Sequence, residues 1–145
     1  MAEYWESLPL AEFGFPGPLR DRLIAAILAG EKTSTSSTVI EYSVENEPFP
    51  MVGLRETVVD SAGIAVGVIE ITGVERIRVS EATPAHAIAE GEGYATVDGW
   101  RAAHVAFWES DEMRGSLGMP GFTITDDTEI FAVTFRLVDV LGSRH

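Results

Sequence analysis

A helix with both ends marked in the sequence settles the first stretch of this chain and constrains the segment behind it. Gly17 serves as its N-cap, Pro18 suits the first helical position, where a missing N–H costs no hydrogen bond, and Gly30 supplies a left-handed stop. The turn Gly14-Phe15-Pro16-Gly17-Pro18 leads into it. Leu19, Leu23, Ile24, Ile27 and Leu28 recur at the spacing of one helical face, so the segment to about Ala29 is predicted to lay that face on a core. Directly behind the stop stand Lys32 and the hydroxyl run Thr33, Ser34, Thr35, Ser36, Ser37, Thr38. A helix end fixes where the chain goes next, so an amine and an alcohol there acquire a defined mutual position. That is the raw material of an activated hydroxyl nucleophile. The other dense polar cluster, Glu90-Gly91-Glu92-Gly93, lies far away in sequence.

The rest of the chain reads mainly as sheet, then helix, then sheet. Val39-Ile40-Glu41-Tyr42 reads as a strand, and Glu47-Pro48-Phe49-Pro50 as an irregular connection, because two prolines interrupt any ladder. Arg55 to Asp60, the turn Ser61-Ala62-Gly63, and Ile64 to Val74 form a predicted hairpin rich in β-branched residues, with Ile77-Arg78-Val79 extending the sheet. Thr83 caps a short helix that has Pro84 at its first position. A second helix is predicted from Val97 to Glu109 with Thr96 as N-cap, its stripe formed by Trp100, Ala103, His104, Phe107 and Trp108. The last strand runs from Thr128 to Val138. This order implies an α+β fold, most economically a small curled or barrel-like sheet with helices packed at its ends.

Composition narrows the partners. The chain has 145 residues, which suits one domain over 1–145, and 46% of them are hydrophobic against 23% charged, a globular balance. Cysteine is absent, which removes disulfides, thiolate catalysis and thiolate zinc sites together. No apolar run is long enough to span a bilayer and the start of the chain is acidic, so no membrane association and a cytoplasmic address are expected. Ten Lys and Arg against 23 Asp and Glu give a net charge of −13, and a surface of that sign repels polyanions. RNA is thereby disfavoured, the only sources of a basic groove being Arg20, Arg22 and Lys32 near the first helix and Arg55, Arg76 and Arg78 around the sheet.

Three local signatures then resemble those of one family. They are Gly30-x-Lys32-x-x-Thr35 after the first helix, Glu90-Gly91-Glu92-Gly93, and Trp100-Arg101-x-x-His104 in the second helical region. Taken in this order, with Pro50-x-x-Gly53 ahead of the hairpin and Phe131-x-x-x-Phe135 in the last strand, they are similar to the longer branch of ASCH-domain proteins, within the PUA-like superfamily of small β-barrels. The resemblance covers nearly the whole chain. It implies a PUA-like curled barrel with flanking helices and an association with RNA or nucleosides. Some members are amidohydrolases of N4-acylated cytidines, and ribonuclease activity is attributed to others. By that resemblance the catalytic set is Lys32, Thr35 and Glu90. Thr33, Ser37, Glu92, Trp100 and Arg101 are the substrate-binding candidates. Ser37 stands where many members carry an arginine.

The chemistry can be stated from the residues alone. Amide hydrolysis needs a nucleophile, a group to take its proton, and donors for the developing oxyanion. Thr35 attacks or positions water, Lys32 as an ammonium stabilises the oxyanion, and Glu90 moves the proton. The leading expectation is a nucleoside-like small ligand and no cofactor; the others are a single-stranded RNA-binding module or a metal-dependent ribonuclease. Glu90, Glu92, Asp98 and His104 are residue types that bind Mg²⁺ or Mn²⁺, but their spacing matches no metal motif, so no metal is assigned. His104 is expected to be a satisfied core histidine, His86 to lie on a helix surface, and His145 to be uninformative. Asp126-Asp127-Thr128-Glu129 reads as a solvated loop, while Trp5, Phe13 and Phe15 are expected to bury against the sheet rather than stack a base.

Overall fold

The computed structural model describes residues 4–141, so His145 lies outside the described residues. In chain order its elements are β1 (Leu10–Ala11), α1 (Pro18–Leu28), β2 (Ser34–Thr38), α2 (Val39–Glu45), β3 (Arg55–Val59), β4 (Ala65–Arg78), α3 (Pro84–Ala89), α4 (Val97–Trp108), α5 (Asp111–Leu117) and β5 (Glu129–Val140). Single 3-10 turns lie at Tyr4–Ser7 and Val79–Glu81.

The sheet is mixed and five-stranded, in the order β1-β3-β4-β5-β2, with β1 parallel to β3 and the other pairings antiparallel. The expected barrel closure is absent among the described residues. β1 and β2 are its two edges, and β1, two residues long, pairs with β3 alone. Register shifts between Val68 and Ile69 and between Ile71 and Gly73 bend the long β4–β5 ladder, since an extra residue on one strand raises its local twist. The bending brings both edges, through Leu10 and Ala11 of β1 and Thr35 and Ser36 of β2, to one cavity.

Two local readings are corrected. Val39 to Tyr42 is not a strand but the start of α2, and the hydroxyl run before it is β2, laid antiparallel on β5 with Ser34 opposite Thr134 and Thr38 opposite Ile130. The reason is a capping box: Thr38 gives both its N–H and its hydroxyl to the Glu41 carboxylate, at 2.8 and 2.6 Å, and so turns the chain into a helix. α5 carries no apolar stripe long enough to announce it, yet Ser110 caps it by accepting from the Met113 N–H at 3.2 Å and Gly118 ends it at φ 66°.

Packing follows the layers. α1 buries Leu23, Ile24 and Ile27 against Val58, Ile69 and Phe135 of the sheet. α4 and α5 bury Trp100, Trp108, Met113 and Leu117 against Val79 and Ile130. Ala103, placed on the α4 stripe by its spacing, is exposed. The α3–α4 loop is tied to the end of α1 at Gly91, whose φ is 68° and where a Cβ would strike the Glu31 carbonyl and stand 2.7 Å from Lys32 Cα. Thr33 donates its N–H to the Ala89 carbonyl at 2.9 Å across the same seam. Gly91→Ala is therefore expected to cost about 3 kcal/mol or more, lowering Tm by about 6–12 °C. Gly53→Ala is its control, because Gly53 has φ 92° but open space around it. Equal Tm losses for the two variants would show that the close approach carries no weight.

Candidate functional site

Strand alternation in β2 divides its hydroxyls. The Ser34 and Ser36 hydroxyls reach α3, Ser34 Oγ donating to the His86 carbonyl at 3.3 Å and Ser36 Oγ lying 2.7 Å from His86 Nε2. Ser37 Oγ instead meets the Tyr42 hydroxyl at 3.1 Å. Thr35 lines the cavity, and its hydroxyl has no hydrogen-bond partner among the described residues.

Glu90 caps the C-terminus of α3 and is fully buried. Its Oε2 accepts from Ser36 Oγ at 2.6 Å and from Trp100 Nε1 at 2.7 Å, and lies 2.9 Å from His86 Nε2. Its Oε1 lies 3.0 Å from His104 Nε2 and 3.6 Å from Lys32 Nζ. Burial pushes this carboxyl up, but the histidine hydrogen bonds and the charges of His104 and Lys32 outweigh it and hold Glu90 well below the usual carboxylate range. Glu90 is ionised at neutral pH.

Lys32 is 2% exposed. Its ammonium gives its three protons to the Ser34 carbonyl at 2.9 Å, a Glu92 carboxylate oxygen at 3.1 Å and the Glu90 carbonyl at 3.3 Å. The other Glu92 oxygen accepts from the Tyr94 hydroxyl at 3.2 Å, and burial first, then Glu92, raises the Tyr94 pKa. For His104, burial pulls the pKa down, but the Glu90 hydrogen bond and charge and the Trp100 carbonyl raise it above the ordinary imidazole value.

These groups open on a cavity of about 530 Å³ lined by Lys32, Thr35, Ser36, Glu90, Glu92, Tyr94 and His104 on one side. Phe15 and Phe107 form an aromatic wall, their ring centroids 5.7 Å apart, while Phe13 packs on Phe135 at 6.0 Å. The wall continues through Glu12, Glu41, Tyr42, Glu45, Glu47 and Glu56. Burial, then Glu47, pushes Glu56 up to about 7, and burial pushes Tyr42 up to about 12.

Lys32, Thr35, Glu90 and Glu92 thus converge, while four predicted site residues fall elsewhere. Trp100 is buried behind Glu90 and holds it from the far side. Arg101 is paired with Asp126 at 2.6 Å and does not line the cavity. Thr33 donates its hydroxyl to the Ala89 carbonyl at 3.3 Å, and Ser37 holds Tyr42. His86 is a correction: its side chain is 9% exposed and faces Glu90, because a residue four before the α3 C-cap shares that face. His104 is satisfied as expected, but at the edge of the cavity rather than in an apolar core. Sequence reasoning singles out neither Ser36 nor Tyr94. The i,i+4 pair of His86 and Glu90 is the signal that leads to the first of them, through the network that all three share.

Glu90, Glu92 and His104 each offer a ligand atom within 4.8 Å of the others, the kind of set that could hold a divalent ion. The Lys32 ammonium already stands among them, 3.1 Å from Glu92 and 3.6 Å from Glu90, and offsets one of the two negative charges. Asp98 is exposed in the first turn of α4 and takes no part.

Three comparisons bear on this geometry. The family model described as ASCH domain matches residues 11–139. The crystal structure of an ASCH domain from Lactobacillus crispatus aligns with a TM-score of 0.77 at 26% identity, over 93% of this chain and 82% of that one. A protein of Enterococcus faecalis aligns with a TM-score of 0.78 at 25% identity, over 91% of this chain and 77% of that one. No curated protein matches the chain.

Breaking a buried charge pair by removing one partner costs about 3–5 kcal/mol, so Glu90→Gln is expected to lose that much stability in urea unfolding at pH 7. A carboxylate held below its unfolded value contributes stability that is complete above that value and lost as pH falls through the folded one. The gap between wild type and variant should therefore shrink once pH drops below the ordinary 4.5. A gap of the same size at pH 3.5 would show that packing, not charge, is what the glutamate supplies.

Proposed function

Because the chain belongs to the ASCH domain family, we propose that its cavity takes a neutral modified pyrimidine nucleoside, in the cytoplasm, and hydrolyses the acyl amide of an N4-acylated cytidine. One observation supports this reading: Lys32 and Thr35, three residues apart, line a single cavity with an aromatic wall together with Glu90, which is remote from them along the chain. Its volume of about 530 Å³ falls within the range of small-molecule pockets. The paired rings of Phe15 and Phe107 offer a face for the base.

The roles follow from hydrogen-bond capacity. The longest of the three Lys32 contacts, 3.3 Å to the Glu90 carbonyl, is the one we assign to be exchanged for the acyl oxygen as that oxygen becomes anionic. The Thr35 hydroxyl, free of partners among the described residues, attacks the acyl carbon or holds the attacking water. Ser36, Trp100 and His104 hydrogen-bond the Glu90 carboxylate, His86 and the Lys32 charge stand beside it, and it is held low, which makes it a weak base. We assign it the anchoring of Lys32 and the two imidazoles rather than the movement of a proton.

Charge separates this reading from RNA binding. Glu12, Glu41, Glu45, Glu47, Glu56, Glu90 and Glu92 line the cavity against Arg20, Arg22 and Lys32. Arg55, Arg76, Arg78 and Arg101 are each paired with a carboxylate. Such a wall disfavours phosphates and does not penalise a neutral ligand.

Incubation with N4-acetylcytidine, followed by chromatography, is expected to yield cytidine and acetate, with the 5′-monophosphate turned over at least about tenfold more slowly because of like-charge repulsion. Lys32→Met should lower kcat by about 10²-fold or more. A protein that leaves N4-acetylcytidine untouched and binds single-stranded RNA with an affinity falling steeply as salt rises would replace this reading with the RNA-binding one.

A further inference from the structure

We propose that His104, standing in the cavity as a charged imidazolium, is the group that protonates the departing nitrogen, with Glu92 taking the proton of the attacking water. This rests on the hydrolase reading above and supplies the proton carrier that Glu90 cannot be.

The charge of His104 follows from its partners. Its Nδ1 lies 2.8 Å from the Trp100 carbonyl oxygen and its Nε2 lies 3.0 Å from Glu90 Oε1. Both partners only accept, and a neutral imidazole has one N–H, so a neutral ring would aim a lone pair at an acceptor. The imidazolium satisfies both. The Trp100 indole stacks on the ring, centroids 4.7 Å apart and planes at 28°, and an aromatic face favours a cation. The groups facing it are Glu90 at the end of α3, Glu92 and Tyr94 in the following loop, Lys32 before β2, and Trp100 and Trp108 on its own helix, with His86 beyond Glu90. Burial works against the charge, and the Glu90 carboxylate outweighs it.

The step balances on these residues. Water bonds through its oxygen to the acyl carbon, and one of its protons passes to Glu92, whose side chain is 14% exposed and lines the cavity. The C–N bond then breaks, its electron pair goes to nitrogen, and nitrogen takes the Nε2 proton of His104. The products are the carboxylic acid and the free amine. Glu92 returns its proton to the neutral imidazole over less than 4.8 Å, the spread of the Glu90, Glu92 and His104 ligand atoms. The general acid is present below the His104 pKa, so turnover falls as pH rises through it.

The test compares leaving groups. His104→Gln should lower kcat on N4-acetylcytidine about 10²-fold or more and remove the alkaline fall of the pH profile, while turnover of p-nitrophenyl acetate, whose phenolate leaves without a proton, drops less than about fivefold. Equal losses on amide and ester, or an unchanged alkaline limb, would overturn the donor role. Histidine side-chain NMR of wild type, with His104 assigned by its loss in the variant, is expected to show a titration midpoint above the ordinary imidazole value of 6.5. A midpoint at or below 6.5, the ordinary imidazole value, would overturn it without any substrate. A wild type that hydrolyses no N4-acylcytidine yet keeps that imidazolium sinks the hydrolase reading and the donor role with it, and a hydrolase with an early-titrating His104 sinks the donor role alone.

Discussion

The buried carboxylate of Glu90 is the interaction on which the rest of this site depends. A charge taken out of water costs several kcal/mol unless its lone pairs are met, and here β2 and α4 send donors to the same two oxygens while His86 of α3 and the Lys32 charge after α1 stand against them. Those elements are distant along the chain, so the carboxylate acts as a joint between the sheet edge and the helical layer. The close approach of Gly91 to Glu31 and Lys32 serves the same joint from the backbone side. Movement of the α3–α4 loop by the width of one methyl group would separate Lys32 from both of its carboxylates.

That joint also divides the cavity electrostatically. Around Glu90 the signs cancel, two carboxylates against Lys32 and His104. Across the cavity they do not. Glu45 is raised first by a hydrogen bond with Glu47, then by burial, and burial with Glu47 holds Glu56 near 7. No cation is among the causes of either shift. The acidity of the chain, which by composition could have served solubility alone, is thus partly concentrated in the lining of the cavity.

Much of the fold was legible in the sequence because its signals are local. The α1 boundaries, the β3–β4 hairpin, the Thr83 and Thr96 caps and the last strand all rest on residues acting on near neighbours. The exchange of strand and helix at positions 34 to 45 shows where composition misled. Val39 and Ile40 carry β-branched side chains, but the Thr38–Glu41 capping box overrode them, and a run of hydroxyls became a strand because β5 offered it a ladder. The site was legible in its charged members, whose spacing resembles a family motif. Its histidines were not, since a short helix gives little periodicity to say that His86 faces inward. Nor does sequence reveal that His104 meets two acceptors, which depends on a carboxylate fourteen positions earlier in the chain.

The opposed shifts of Glu90 and His104 have a joint consequence. Glu90 contributes stability that is complete above 4.5 and lost as pH falls through its lower folded value, and His104 contributes stability that is complete below 6.5 and lost as pH rises through its higher folded value. Each shift is caused largely by the other partner, so the pair widens its own range of existence in both directions. On the alkaline side, loss of the His104 proton removes the positive charge beside Glu90 and leaves a ring nitrogen facing an acceptor. The contacts that hold the proton on His104 are therefore the same ones that make its neutral form costly. His86, turned onto Glu90 and Ser36, adds a second imidazole against the same carboxylate and so ties α3 to β2 at this point.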